Sequence, residues 1–167
     1  MDGSGLTVIV RPVQRSDAAA WLSMRRTLWP SGSSEEHREE IERFLAGDAK
    51  EPLAVLIAAG PDGRRLGFAE LSIRPHAEGC RTDRVAYLEG WFVAVEARDR
   101  GVGRLLVRAA EAWARAQGCG ELASDSAADD AASRAAHRAV GFEETGLVRC
   151  YRRDLEAASL EPEAGRG

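Results

Sequence analysis

Apolar and polar positions along this chain fall into two periods, and the switches between them outline the elements. Leu6–Val10 is a β-branched run that closes at Arg11-Pro12, a first strand. Behind the capping pair Ser16-Asp17, the residues Ala18, Trp21, Leu22, Arg25 and Leu28 recur at helical spacing until Trp29-Pro30-Ser31-Gly32 ends the run. Ser33-Ser34 opens a second helix with Glu35 and Glu36 in its first turn, where the helix dipole favours acids. Its apolar stripe is thin (Ile41, Phe44, Leu45), so the pattern predicts a surface helix closed by Gly47. Leu53–Ala59, the turn Gly60-Pro61-Asp62-Gly63 and Arg65–Arg74 read as a hairpin. Residues 75–84 are polar and contain Gly79, which predicts a loop. Val85–Val95 is a further strand with Gly90 inside it, and a glycine there often marks a bulge or a close approach. The most periodic segment follows: Val102, Leu105, Leu106, Ala109, Ala110, Trp113 and Ala114 make an amphipathic helix that ends at Gly118. Glu121–Ser124 is a short strand, and Asp129–Val140 a last helix stopped by Gly141. Phe142–Thr145 and Leu147–Asp154 predict a closing hairpin about Gly146, and Glu156–Gly167 a frayed tail. The expectation is one α/β domain over residues 1–155, with a tail at 156–167.

Composition narrows the class. With 44% hydrophobic and 30% charged residues among 167, the chain can bury a core and wet its surface. No apolar run approaches the ~18 residues of a membrane span. Asp2 stands where a signal peptide would carry positive charge. The net charge of −4 lacks the basic face that nucleic acid requires, so neither nucleic acid nor membrane is expected as a partner. Cys80, Cys119 and Cys150 form no CxxC pair, which argues against a metal site, and their odd number suggests reduced thiols in a cytoplasm. They read as small buried hydrophobes.

The chemistry gathers at two places. The strand ending at Val95 runs through Arg98, Asp99 and Arg100 into Gly101-Val102-Gly103-Arg104 at the start of a helix. A helix's first turn has N–H groups without internal partners, and glycines let an anion reach them. The same residues also suit a plain glycine turn with exposed arginines. Leu106 occupies the third-glycine position of a dinucleotide fingerprint, and no Gly-Lys-Ser/Thr follows, so two familiar phosphate loops are excluded. The second place is acidic. Glu89 lies in an apolar strand beside Gly90, either facing outward or aimed into a cleft. Asp125 follows a short strand, where it could cap a turn or meet a ligand. Trp29 is a core tryptophan or a binding surface; Trp91 and Trp113 suit packing. His37, on an acidic helix, reads as solvated, and His76 as a loop or lid residue. His137, four residues before Gly141, and Tyr151, in the closing strand, are candidate general acids.

Arg98-x-x-Gly101-x-Gly103 after an apolar strand resembles the pyrophosphate loop of the GNAT superfamily of N-acetyltransferases, and Gly141-Phe142-Glu143-Glu144-Thr145 is similar to its closing motif. The order of elements from Leu6 to Asp154 resembles it too. That resemblance implies a twisted, mixed, mostly antiparallel sheet of six to seven strands flanked by about four helices. It also implies acetyl-coenzyme A at the loop formed by Arg98, Asp99, Arg100, Gly101, Val102, Gly103 and Arg104, its pantetheine arm beside Trp91, Phe92 and Val93, and Asp130 near the coenzyme. Leu28-Trp29-Pro30, Gly67-Phe68-Ala69-Glu70, Ser72-Ile73-Arg74, Glu78-Gly79-Cys80, Leu88-Glu89-Gly90 and Ala123-Ser124-Asp125 look like the dimeric branch of aminoglycoside 6′-N-acetyltransferases. That branch implies a homodimer and contacts to a polycationic aminoglycoside from Trp29, Glu89 and Asp125, with His76 and Glu78 in the adjoining loop. Glu89, Asp125, His137 and Tyr151 are the expected catalytic groups. The branch's loop tyrosine before Gly79 is missing here, and Gly146 replaces an acid. Two alternatives stay open: acetylation of another amine, such as a polyamine or a protein amine, and a non-catalytic acyl-coenzyme A binding protein.

Overall fold

The computed structural model describes residues 7–155, so Leu6 and the tail at 156–167 lie outside the described residues. Five strands run in sequential order across one sheet: β1 (Ile9–Pro12), β2 (Ala54–Ala59), β3 (Arg65–Arg74), β4 (Val85–Val93) and β5 (Leu122–Ser124). β1 to β4 are antiparallel and β5 is parallel to β4, as the crossover through a helix requires. The helices are α1 (Ala18–Leu28), α2 (Ser34–Ala46), α3 (Val102–Ala116) and α4 (Ala131–Ala139).

Strand alternation splits the core between the two faces. Leu56, Ala58, Ala69, Leu71 and Leu88 pack with Val102, Leu106 and Ala110 of α3. Val55, Ile57 and Phe68 pack on the other face with Trp21, Met24 and Ile41 of α1 and α2. α2 is therefore anchored through Ile41, and its start is closed by a capping box between Ser33 and Glu36. Asp17, wholly buried before α1, accepts from Arg11, Arg65 and the Gln14 N–H, which hold its carboxyl far below the usual range.

Two irregularities coincide in β4. Glu70 pairs with Gly90 but Leu71 with Leu88, so Glu89 is the extra residue of a bulge. The pairing of β4 with β5 ends at Leu88 and Ser124. From Glu89 to Val93, β4 keeps β3 on one side and has no β5 partner on the other.

The expected closing hairpin is not formed. Residues 142–154 carry no strand, and the described sheet has five strands rather than six or seven. A lone hairpin is marginal unless its apolar face packs on something. Leu147, Val148 and Tyr151 are exposed within this one chain.

Candidate active site

The face of the sheet under α1 and α2 carries the acids. Phe68, Glu70, Ser72 and Arg74 recur every second residue of β3, so they share that face. The bulge turns Glu89 onto it, where the Ser72 hydroxyl donates to Glu89 Oε1. Arg74 grips the same carboxylate with both teeth, Nε at 3.0 Å and Nη2 at 2.6 Å. The Arg74 guanidinium carbon lies over the Tyr87 ring, 3.4 Å from its centre. Tyr87 OH then donates to Asp125 Oδ1 at 2.9 Å. Burial, with Asp125 adding to it, pushes the Tyr87 hydroxyl up to about 12, so it stays a donor. Glu89 is partly buried and Asp125 exposed.

Trp29 borders this face. It sits edge-on to Phe68, stacks near His37 and lies under the Arg25 guanidinium. His37 is buried rather than solvated, because its Nε2 meets the Trp29 carbonyl oxygen at 3.2 Å. A Cβ on Gly90 would come within 2.5 Å of the Trp29 ring, so the glycine lets the indole lie on the bulged strand. Behind it, Glu70 is 3% exposed, accepts the Trp21 indole N–H at 2.8 Å, and lies 3.0 Å from Arg25 Nε, off the hydrogen-bonding direction.

On the other side of β4, α3 starts at Gly101 in the left-handed region (φ +81°), with no side-chain cap and no acid in its first turn. α2 and α4, by contrast, are capped by Ser33 and Asp130. Asp130 thus spends its side chain on the Ser133 N–H. Asp99 also takes a left-handed turn. Arg98 donates to the Val93 carbonyl and Arg104 to that of Ala139, which brackets the helix start between β4 and α4. A Cβ on Gly103 would press on Trp91, whose buried Nε1 has no hydrogen-bond partner among the described residues. An uncapped helix N-terminus, three arginines and an orphaned indole N–H beside an unpaired strand edge fit a diphosphate with an amide-bearing arm.

His137 stands between these two halves. Its Nδ1 lies 2.8 Å from the Ser133 carbonyl oxygen and must carry hydrogen there, because a carbonyl only accepts. Nε2 faces Ser124 Oγ at 2.9 Å, and Ser124 Oγ is 3.2 Å from the Leu88 carbonyl oxygen. The ring sits edge-on to Trp91 and Phe142. Tyr151, by contrast, is 89% exposed, and among the described residues no hydrogen bond or ring contact joins it to the other candidates. His76 and Glu78 are exposed in the loop before Gly79, where the Glu78 carbonyl accepts from Thr145. Of the cysteines, only Cys119 is the buried hydrophobe expected; Cys80 is half-buried and Cys150 exposed, and all three are free thiols.

Sequence reading passed over Ser72, Arg74, Tyr87 and Ser124 as partners of the acids, and over the Glu70–Arg25 pair. The period-two pattern of β3 could have put Glu70, Ser72 and Arg74 on one face. Gly90 signals an irregularity in the strand, but that Glu89 is the extra residue is a pairing event, which the strand's own residues do not specify.

Residues 20–142 match the Acetyltransferase (GNAT) family. The chain is 56% identical to the aminoglycoside N(6′)-acetyltransferase type 1 of Klebsiella aerogenes over 155 residues, 93% of this chain and 100% of the relative. It is 43% identical to the enzyme of the same name from Stenotrophomonas maltophilia, over 90% and 95% of the two chains. Among solved structures it resembles the aminoglycoside N-acetyltransferase AAC(6′)-Iy in complex with coenzyme A (TM-score 0.82, 35% identity, 92% and 99% covered). The same enzyme with the bisubstrate analogue CoA-S-monomethyl-acetylneamine gives a TM-score of 0.80 at 36% identity, with 88% and 98% covered.

Proposed function

The chain belongs to the acetyltransferase (GNAT) family, and we propose that it is an aminoglycoside 6′-N-acetyltransferase whose acceptor lies over Glu89 and Asp125. The observation that carries this reading is a coincidence in β4: the bulge at Glu89 and the end of β4–β5 pairing at Leu88 put a free strand edge beside two carboxylates.

Acetyl-coenzyme A, when bound, supplies a thioester carbonyl for a neutral amine to attack. The N–H groups opening α3, with Arg98, Arg100 and Arg104, hold its diphosphate, and Gly101 and Gly103 keep that approach clear. Trp91, Phe92 and Val93 offer their unpaired edge to the arm's amides. Glu89 and Asp125 draw in the polycation, Trp29 supplies a flat apolar wall, and His76 and Glu78 close the loop side. Glu89 also accepts the proton leaving the acceptor, directly or through water. His137, linked to Ser124, rather than the exposed Tyr151, delivers a proton to the departing sulfur. A homodimer in the cytoplasm belongs to the same proposal. The exposed side chains of Leu147, Val148 and Tyr151 support the dimer, and three free thiols support the compartment.

The test is thiol release with kanamycin, tobramycin and spermidine side by side. Aminoglycosides should be the better acceptors, with Glu89→Gln and Asp125→Asn raising KM before they lower kcat. Turnover confined to spermidine would favour a polyamine enzyme, and coenzyme binding without turnover on any amine a sensor. Sedimentation should give twice the chain's mass.

A further inference from the structure

Glu89 is not a free anion. Ser72 donates to it, and Arg74 closes on it with two hydrogen bonds. The same guanidinium covers the Tyr87 ring, and Tyr87 holds Asp125. Both carboxylates of the acceptor face are therefore fixed through one stacked pair, Arg74 on Tyr87. The arrangement is open to solvent: the Arg74 side chain is 41% exposed and Glu89 24%. It is not a buried pair that merely satisfies its own charges.

Two carboxylates beside a polycation raise a difficulty for the reaction proposed above. They strengthen binding, yet they hold the acceptor nitrogen as an ammonium ion, which has no lone pair to attack with. A fixed positive charge at the same place works the other way. Arginine stays protonated at any pH of interest, so its charge is permanent. With Arg74 bound to Glu89, the two acids and the guanidinium sum to one negative charge instead of two.

Resting on the reading of Glu89 as an acceptor-facing acid, we propose that Arg74 is a positioning residue that tunes the acceptor. It fixes Glu89 and Tyr87 in place, and its charge keeps the bound amine acidic enough to lose its proton near neutral pH. The other groups facing this pair are Tyr87 on β4, Asp125 after β5 and Glu70 on β3, with Arg25 of α1 and Glu40 of α2 behind Glu70. None of them places a second permanent positive charge against Glu89; Arg25 serves Glu70 and Glu40.

The experiment compares the full chain with Arg74→Met, Arg74→Lys and Tyr87→Phe, following kcat and KM for kanamycin from pH 5.5 to 9.5. Melting temperature and acetyl-coenzyme A binding serve as the check on folding. Arg74→Met should lower KM or leave it unchanged, cut kcat at pH 7 about tenfold, and move the rising limb of the kcat profile up by about one pH unit. Arg74→Lys keeps the charge without the two-toothed grip and should restore the profile to within a few tenths of a unit. Tyr87→Phe, which frees Asp125, should raise KM without moving the limb. An Arg74→Met profile that stays put while KM rises would overturn the proposal and leave Arg74 a strand latch. If Arg74→Met does not fold, Arg74→Gln takes its place, because it removes the charge while keeping a donor toward Glu89: a limb moved up by about one unit supports the charge role and an unmoved limb overturns it. No turnover of any aminoglycoside by the unaltered chain would sink the underlying reading too, whereas normal turnover with an unmoved Arg74→Met limb sinks only this proposal.

Discussion

Glu70→Gln should change how stability depends on pH. Glu70 lies in the α1 core, 3% exposed; its Oε1 accepts the Trp21 indole N–H and lies 3.0 Å from Arg25 Nε, an ion-pair contact off the hydrogen-bonding direction. Loss of water around the carboxylate outweighs the pull of Arg25 and Trp21 and pushes the group up from its ordinary 4.5 to about 7. The folded chain therefore holds a proton on Glu70 through a range in which the unfolded chain has already released it. Folded protein binds more protons than unfolded between pH 4.5 and 7, so stability from this group is full below 4.5 and declines as pH rises through 7. The distance from 4.5 to about 7 corresponds to roughly 3 kcal/mol across the window. Glutamine has the same shape, and its amide oxygen can keep the hydrogen bond from the Trp21 indole, so the variant should fold. Urea unfolding at half-unit steps from pH 4.5 to 8 measures the effect. The stability of Glu70→Gln minus that of the unaltered chain should climb with pH, by up to about 3 kcal/mol, while the m value stays constant. Groups common to both proteins cancel in that difference. Asp17 does not interfere, because its depressed carboxyl contributes stability that is lost only as pH falls below about 3.8. A difference that stays flat with pH would refute the reasoning, since it would mean that Glu70 is ionised in the folded chain as readily as in the unfolded one.

Two further outcomes separate the roles of other residues. Gly90→Ala drives a methyl into the Trp29 ring, which Phe68, His37 and Arg25 already confine; it should cost about 1–3 kcal/mol in urea unfolding and raise KM for an aminoglycoside, and an unchanged KM would remove Trp29 from the acceptor surface. His137→Gln keeps a hydrogen-bonding end toward Ser124 but cannot deliver a labile proton, so kcat should fall at least tenfold while Tyr151→Phe leaves it unchanged; the reverse order in a stopped-flow thiol assay would move the acid role to the C-terminal segment.

Local pattern determined much of this molecule. The helical spacing from Val102 to Ala114 and the Gly101-Val102-Gly103 turn before it specify α3 and its open N-terminus, because both depend on neighbours within a few residues. The hairpin of β2 and β3 follows from Gly60–Gly63 for the same reason. Gly90 signals an irregular strand, and the resemblance in the pyrophosphate loop points to the right family before any fold is known. Tertiary structure alone decided the rest. Register is a property of two strands, so the slip that singles out Glu89 appears only when β3 lies beside β4. Arg74 reaches Glu89 across 15 positions of sequence and Tyr87 reaches Asp125 across 38, contacts that no spacing rule anticipates. His37 reads as solvated by its acidic neighbours, yet packing against Trp29 buries it. The closing segment shows the converse: its apolar residues suit a strand, but a strand needs an edge to pair with, and the described part of this one chain leaves those residues exposed.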